Sequence, residues 1–131
     1  MILAVCADDR LGISFGGRRQ SRDSAVLQRL LELSGGNLRM SEYSARQFAE
    51  PVYSGADYLS GAKTGQWCFV ENGDYESFSD AIEKIVLFRW NRHYPSDLQF
   101  QFPGKWALVR WEEFPGSSHE QITLEVYEKC E

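Results

Sequence analysis

The sequence lacks the features that would place it in a membrane or an export pathway. No apolar run approaches the roughly 20 residues that a membrane-spanning helix needs. The apolar opening Met1–Ala7 is interrupted at once by Asp8 and Asp9. That opening therefore indicates a buried strand and not a signal peptide, and we expect no membrane association.

Basic residues are too few for a dedicated nucleic-acid-binding protein. Lysine and arginine number 14 against 19 acidic residues, which gives a net charge of -5 at pH 7. Nucleic-acid-binding domains usually carry a basic excess. The composition therefore disfavours a nucleic-acid partner, although a local basic patch remains possible.

Cysteine and histidine are also scarce. The three cysteines, Cys6, Cys68 and Cys130, are far apart and show no spacing typical of a zinc or redox pair. Reduced thiols in a cytoplasmic protein are the simplest interpretation. Cys6 and Cys68 lie in apolar runs, where we expect inert core thiols. We predict neither a metal site nor a cofactor.

Enough apolar residues (43%) are present for one domain over residues 1–131. Short apolar or alternating runs predict a brief strand in Asn37–Ser41 and five strands of one sheet, at Ile2–Ala7, Trp67–Val70, Val86–Arg89, Trp106–Trp111 and Ile122–Tyr127. The segments 10–17 and 52–66 contain many glycines and are expected to be loops, the first one with a short extended piece.

Helices are predicted between these strands. One has an apolar stripe of Leu27, Leu30 and Leu31, with Ser21 as its cap and Gly35 at its end. A second helix is expected after the strand at Trp67–Val70, capped by Ser77 or Ser79, and a turn or two of helix in Ser44–Glu50. The order of elements indicates a single α/β domain with a mixed β-sheet, flanking helices and an antiparallel end.

The clearest candidate site is a group of arginines before the first helix. Arg18, Arg19 and Arg22 lie between a glycine pair and Asp23. Guanidinium groups recognise phosphate and carboxylate through paired hydrogen bonds, and a helix start adds positive potential. An anion site is one interpretation. The alternative is an internal salt-bridge hub with Asp8, Asp9 or Glu71 as partners.

Two further groups of residues are candidates. Asp8, Asp9, Glu42 and Glu71 could converge to bind Mg²⁺, but we favour salt bridges to the arginines. In the segment Arg89–Pro95, Trp90 and its aromatic neighbours beside Arg89 could stack on a ring, or they could be core and interface residues.

His119 follows two serines, Ser117 and Ser118, which gives it the composition of a catalytic pair. Adjacent residues on a strand face opposite ways, so a turn-capping role is favoured for His119.

The order of the predicted elements and the positions of the turns between them resemble those of a shortened dihydrofolate reductase. Ile2–Ile13 is similar to that family's first strand and the start of its mobile loop, and Asn37–Phe48 to a strand and helix start that read Gly-Arg-x-Thr in the family. Three later segments are similar to the family's cofactor-binding region and its last strands: Phe69–Phe78, Ile82–Pro103 and His119–Lys129. The resemblance implies that Asp23 corresponds to the family's acidic residue at the head of its first long helix.

The departures from the family's pattern concern the cofactor. Ser41 and Glu42 stand where the resemblance implies Gly-Arg, and Glu71 and Asn72 stand where it implies Gly-Gly. Two carboxylates would therefore face the phosphates of NADPH and repel them. The family's loop tryptophan is also missing.

A second resemblance rests on the segments Arg18–Asp23, Arg89–Pro95 and Glu113–Glu120, which look like a small uncharacterised bacterial family sometimes labelled ribonuclease Z. A zinc-dependent ribonuclease of that name needs a cluster of histidines, and only His93 and His119 are present. We discard that label.

Three hypotheses follow. The first is a cytoplasmic protein that binds an anionic or nucleotide-like ligand, or a protein partner, through Arg18, Arg19, Arg22, Asp23, Glu71 and Arg89. The second is an enzyme of unassigned class, such as a metal-dependent phosphoester hydrolase. An NADPH-dependent pterin reductase is the third and least favoured.

Overall fold

The centre of the molecule is a seven-stranded mixed sheet, seen in a computed structural model that describes residues 1–130. Its strands are β1 (Ile2–Ala7), β4 (Leu38–Met40), β5 (Tyr53–Ser54), β6 (Trp67–Phe69), β7 (Lys84–Arg89), β9 (Trp106–Phe114) and β10 (Ile122–Lys129). Their spatial order is β5-β4-β6-β1-β7-β10-β9. All five predicted strands belong to this sheet, with somewhat different ends.

The sheet is parallel on one side and antiparallel on the other. β1 pairs in parallel with both β6 and β7, and β4 pairs in parallel with β5 and β6. β10 is antiparallel to β7 and to β9. This arrangement confirms the predicted mixed sheet of an α/β domain. It also brings the carboxyl ends of β1, β4, β6 and β7 to one end of the sheet, which we call the carboxyl edge.

A second, three-stranded sheet of β2 (Gly12–Phe15), β3 (Arg18–Arg19) and β8 (Leu98–Gln99) lies at the carboxyl edge. β2 and β3 form a hairpin in which Phe15 pairs with Arg18. Gly16 and Gly17 make the turn with φ values of 60° and 75°, a conformation that glycine adopts without strain. The segment predicted as a loop with a short extended piece is therefore this hairpin.

Helix α1 (Ser24–Ser34) covers one face of the sheet, as predicted. Val26 and Leu30 are almost completely buried, and Gly35 ends the helix with φ 58°. The predicted cap, Ser21, was wrong. Asp23 is the N-cap, and its side chain accepts a hydrogen bond from the Ala25 amide. A carboxylate serves this position as well as a hydroxyl does and adds a favourable charge at the helix start.

Two apolar clusters form the core, one on each face of the sheet. The cluster beneath α1 includes Leu30, Met40, Phe69 and Phe88. The other face carries Leu3, Ile85 and their neighbours from the segment between β5 and β6. Strands buried on both faces explain why β1 and β7 are continuous apolar runs.

The helix predicted after Val70 is only a 3₁₀ helix, Glu76–Ala81, and neither Ser77 nor Ser79 caps it. The Ser77 hydroxyl donates instead to Asp74 in a local turn at 2.6 Å. The chain returns to extended backbone at Ile82 and enters β7 at Lys84. The segment before β7 is therefore too short for an α-helix, because the apolar residues on which the helix prediction depended belong to the strand. Helix α2 is likewise a single turn, Glu42–Ala45, that starts two residues before the predicted one.

No helix within residues 1–130 is long and apolar enough to cross a membrane. The three cysteines are unpaired.

We predict that Leu30→Ala will destabilise the fold by about 2–5 kcal/mol, because it leaves a cavity between α1 and the sheet. Gln28→Ala, on the exposed side of the same helix, is the control and should change the free energy of unfolding by less than about 0.5 kcal/mol. Urea unfolding followed by circular dichroism measures both. Equal effects would show that α1 does not pack as described.

Candidate functional site

The carboxyl edge collects buried polar residues from separate parts of the chain. Asp8 follows β1, Glu71 follows β6 closely, and Trp90 follows β7. Asp23 joins them at the start of α1. In open α/β sheets, ligands bind in the crevice outside the carboxyl ends of the strands. This edge is therefore the candidate functional site.

Glu71 is the centre of one cluster, with a side chain only 6% exposed. Its Oε2 accepts a hydrogen bond from Arg19 Nε at 2.9 Å. Its Oε1 accepts from Ser44 Oγ at 2.8 Å, from Gln47 Nε2 at 3.0 Å and from Arg19 Nη2 at 3.2 Å. The carboxylate is fully occupied by groups of the chain itself.

Arg19 is held in place as firmly as its partner. Its guanidinium lies 4.3 Å from the ring centroid of Tyr43, a cation–π distance. Its backbone amide donates to the Tyr43 hydroxyl at 3.0 Å, and Nη2 also donates to the Tyr43 carbonyl. Arg19 thus connects the β2–β3 hairpin to α2 and to β6. It is an internal ion-pair residue, which matches the salt-bridge alternative for this one arginine.

Asp23 is the centre of the second cluster, and its side chain is completely buried. Besides capping α1, it accepts hydrogen bonds from the backbone amides of Ser117, Ser118 and His119 at 2.9, 2.9 and 3.1 Å. Burial by itself raises the pKa of Asp23, but these donors and the His119 ring outweigh it. The pKa of Asp23 is therefore far below its usual value, and the group is ionised at neutral pH.

His119 continues this cluster toward the surface. Its Nδ1 lies 2.9 Å from Asp23 Oδ2, and because an ionised carboxylate only accepts, Nδ1 carries the proton. Its Nε2 lies 2.8 Å from the Tyr94 hydroxyl and 3.1 Å from the Ser21 hydroxyl. The ring stacks on Trp90 with centroids 4.5 Å apart.

Asp8 is the third buried carboxylate. It accepts from the amides of Gly12, Arg10 and Tyr94 at 2.7, 2.9 and 3.1 Å, and from the Gln20 side chain at 3.1 Å. Burial acts to raise the pKa of Asp8, yet the hydrogen bonds hold it below the usual value.

The remaining predicted residues do not join these clusters. Arg18 is exposed, and within residues 1–130 the Arg22 side chain donates to the Gln47 carbonyl alone, at 3.3 Å. Arg89 pairs with Glu125 on the neighbouring strand at 3.3 Å. The structure brings Arg19 and Glu71 together and places Asp23 in a separate network. Of the three arginines before α1, Arg19 alone forms an ion pair within residues 1–130.

The four acidic residues weighed as an alternative Mg²⁺ site do not come together, and of the favoured salt bridges to the arginines only Arg19–Glu71 forms within residues 1–130. Asp8 and Glu71 are engaged as described, while Asp9 and Glu42 are exposed. Within residues 1–130, no group of three or more potential ligands lies close enough to hold a metal ion.

The thiols match the expectation of inert cysteines. Burial raises the pKa of Cys6, and the nearby carboxylates of Glu71 and Asp23 raise it further. Burial also raises the pKa of Cys68 to about 11. Neither thiol ionises at neutral pH.

Sequence reasoning missed the association of Ser21, Tyr94 and His119 with Asp23. His119 was assigned to turn capping, but its ring is a buried member of the Asp23 network, and Ser117 and Ser118 are the residues that bind the capping carboxylate. Asp23 and His119 are 96 residues apart in the chain, so no local spacing signals their contact.

Comparison with known proteins identifies the architecture. The chain is similar to a dihydrofolate reductase from Enterococcus faecalis, in a structure complexed with NADP(H) and RAB-propyl, with a TM-score of 0.66 and 13% identity over 99% of this chain and 97% of that chain. The fold is therefore dihydrofolate reductase-like, as the sequence suggested. No family model and no curated protein sequence matches the chain.

We predict that Glu71→Gln lowers the free energy of unfolding by about 3–5 kcal/mol, because it leaves the Arg19 guanidinium without its buried partner. Glu42→Gln, an exposed carboxylate on α2, is the control and should change stability by less than about 0.5 kcal/mol. Chemical denaturation of the two variants makes the comparison. A small effect of Glu71→Gln would mean that the ion pair contributes as little as a surface pair.

Acid should destabilise the protein through Asp23 and Asp8. Their pKa values are lower in the folded state than the unfolded value of about 3.9, so their stabilisation is complete above that value and is lost as pH falls. Each carboxylate can contribute a slope of up to about 1.4 kcal/mol per pH unit.

Asp23→Asn should therefore make the unfolding free energy less dependent on pH below about pH 5, as measured by urea unfolding from pH 3 to pH 7. Glu32→Gln, on the exposed face of α1, should keep the parental slope. An unchanged slope in Asp23→Asn would contradict the low pKa.

Proposed function

We propose that this protein binds an anionic ligand at the carboxyl edge, through the exposed arginines of the loops there. The scaffold is reductase-like, but the ligand contacts differ from those of a cofactor site. The observation that carries the proposal is the distribution of cations between the two ends of the sheet.

The lysines and most of the exposed arginines lie at opposite ends of the sheet, with Arg110 as the exception because it lines a cavity with Lys84. The four lysines, Lys63, Lys84, Lys105 and Lys129, all lie at the end of the sheet where β6, β7 and β9 begin. The carboxyl edge instead carries arginines in the loops after β1 and β7, in the hairpin, before α1 and after α2: Arg10, Arg18, Arg22, Arg46 and Arg92. These five are exposed and form no ion pair within residues 1–130. Arginine is suited to paired hydrogen bonds with phosphate or carboxylate, whereas lysine is a point charge.

The carboxylates of the same edge, including the exposed Asp9, Glu42, Glu113 and Glu120, form no ion pair with these cations within residues 1–130. Asp8, Asp23 and Glu71 are buried and satisfied by amides, hydroxyls, His119 and Arg19. A chain of net charge -5 thus presents unpaired guanidinium groups at one end. Such a local field attracts anions despite the acidic total.

NADPH is a poor candidate for the ligand. Glu71 and the hairpin occupy the region where, by the resemblance, the backbone would approach a pyrophosphate, and the Asn72 side chain donates to the Gly17 carbonyl across it at 3.1 Å. Binding the cofactor would require breaking the Arg19–Glu71 pair. We therefore propose a smaller anion, held by Arg18 and Arg22 outside this pair, in a cytoplasmic protein.

A protein partner is the second candidate, and strand β9 favours it. Leu108, Val109 and Trp111 are 47%, 51% and 59% exposed on this strand, which lies at the end of the sheet. Exposed apolar side chains on an edge strand are typical of interaction surfaces.

We predict that citrate and inorganic phosphate raise the melting temperature of the parent, because a ligand that binds only the folded state stabilises it. A ligand concentration of about 100 times Kd stabilises the folded state by about 2.7 kcal/mol. For a domain of this size, that raises the melting temperature by several degrees. The double variant Arg18→Ala/Arg22→Ala should lose the shift.

The matched control is Lys105→Ala/Lys129→Ala, which removes the same charge from the opposite end of the sheet and should retain the shift. NADPH at about 10 µM should produce no shift with any of the three proteins. An equal response of both double variants would contradict a site at Arg18 and Arg22.

A further inference from the structure

We propose that Ser21, His119 and Asp23 form a nucleophilic centre that cleaves carboxylic esters. This inference rests on the proposed anion site, because Arg18 and Arg22 flank Ser21 in the chain. It extends that function from binding to a reaction.

The three side chains have the geometry that nucleophilic catalysis requires. The Ser21 hydroxyl lies 3.1 Å from His119 Nε2, within hydrogen-bond reach of a base. The opposite ring nitrogen, Nδ1, lies 2.9 Å from Asp23 Oδ2. A nucleophile, a base and a group that orients the base therefore follow one another in a line, and such a centre is recognised by geometry and not by order in the sequence.

The Asp23–His119 pair is rigid and shielded. The exposed fractions of the two side chains are 0% and 2%. Amides on both sides of the carboxylate fix its position, and Trp90 stacks on the imidazole. The ionised carboxylate holds the proton on Nδ1, so Nε2 carries the lone pair, which the Tyr94 and Ser21 hydroxyls share in the resting state and which can accept the proton of Ser21.

Ser21 itself has no structural task that would explain its position. Asp23 caps α1, and Ser117 and Ser118 tie the β9–β10 loop to that cap. Within residues 1–130, the Ser21 hydroxyl has hydrogen-bond partners only in His119 and Tyr94. Unlike Asp23 and His119, Ser21 is a partly exposed residue, and the proposal requires that a substrate reach its hydroxyl from the exposed side.

Tyr94 supplies a donor beside the nucleophile. Its hydroxyl lies 3.3 Å from Ser21 Oγ and 2.8 Å from His119 Nε2. Side-chain donors of this kind can stabilise the oxyanion of a tetrahedral intermediate. When Ser21 reacts and Nε2 takes its proton, the phenol is released from the imidazole and can donate to that oxyanion.

The reaction balances without any further reagent except water. Ser21 Oγ bonds to the carbonyl carbon while its proton moves to His119 Nε2, and the tetrahedral intermediate collapses as the alcohol leaves with that proton. Water then adds to the acyl carbon while one of its protons moves to His119 Nε2. The bond between the acyl carbon and Ser21 Oγ breaks, and His119 returns that proton to Oγ, which releases the acid and restores the Ser21 hydroxyl. The acid carries negative charge, which suits the neighbouring Arg18 and Arg22.

We assign the alcohol side of the substrate to the cleft beyond Trp90, whose lining does not include Ser21, Tyr94 or His119. A cleft of about 400 Å³ is lined by Trp90, which stacks on His119, by Glu120, its chain neighbour, and by the polar residues Asn91, Arg92, Glu113 and Gln121. The acidic residues of this cleft favour a neutral group there. We therefore infer an ester with an anionic acyl part and a neutral alcohol part.

Labelling with a fluorophosphonate probe, followed by peptide mass spectrometry, tests the nucleophile directly. We expect the label on Ser21 in the parent, none in Ser21→Ala, and the parental amount in Ser24→Ala, an exposed serine three residues away. Hydrolysis of 4-nitrophenyl hemisuccinate should fall at least about 10³-fold in Ser21→Ala. The neutral 4-nitrophenyl acetate should be a poorer substrate than the hemisuccinate.

Tyr94→Phe distinguishes a chemical role from a structural one. It should lower kcat by about 10²-fold with KM nearly unchanged, because the phenol acts on the oxyanion and not on the bound ester. Circular dichroism and the melting temperature confirm that each variant is folded.

No label on Ser21 in the folded parent, or equal hydrolysis by the parent and Ser21→Ala, would overturn the proposal. The binding function fails separately, because citrate and phosphate shifts do not depend on the Ser21 hydroxyl. A parent that responds to those anions but neither labels nor hydrolyses would be a binding protein without this activity.

Discussion

The structure depends most on the buried carboxylate of Asp23. One side chain begins α1, fixes the loop between β9 and β10 through three amides, and holds the His119 ring against Trp90. A buried charge is costly unless it is hydrogen-bonded, and here both oxygens of the Asp23 carboxylate accept hydrogen bonds from neighbouring groups. The first helix and the last hairpin of the sheet are thereby joined at the carboxyl edge, although they are far apart in the sequence.

The same requirement applies to Glu71, the second buried carboxylate at the carboxyl edge. Glu71 would be an uncompensated charge without Arg19, and Arg19 reaches it only because the hairpin folds over the end of β6. Each buried carboxylate is thus surrounded by donors from neighbouring segments at the carboxyl edge. The fold is dihydrofolate reductase-like, and a fold does not by itself fix the ligand, so the proposal of a different ligand rests on these contacts.

Local pattern was sufficient to predict most of the fold. The continuous apolar runs of β1 and β7, the alternation of β10 and the stripe of α1 depend on side chains within one element. The 3₁₀ helix was predicted wrongly because the apolar residues after it belong to a strand. At the site, the Arg19–Glu71 pair was foreseen only as one alternative. The contact between His119 and Asp23 was not predicted, because the two residues are 96 positions apart and no local sequence pattern indicates that they meet.

The distribution of hydrogen-bond partners separates the residues that maintain the fold from those available for function. Asp8, Asp23, Glu71 and Arg19 have their polar atoms engaged by the chain itself, so a ligand could gain contacts with them only by displacing existing ones. Ser21, Arg18 and Arg22 differ, because they are at least partly exposed and contribute little to the internal network. A site built from them can bind or react while the buried carboxylates keep the edge rigid, and such preorganisation gives charged groups their effect on a bound anion. In the proposed site, the buried network would form an inner layer and the exposed arginines an outer layer, with the inner layer fixing the backbone that carries the outer one.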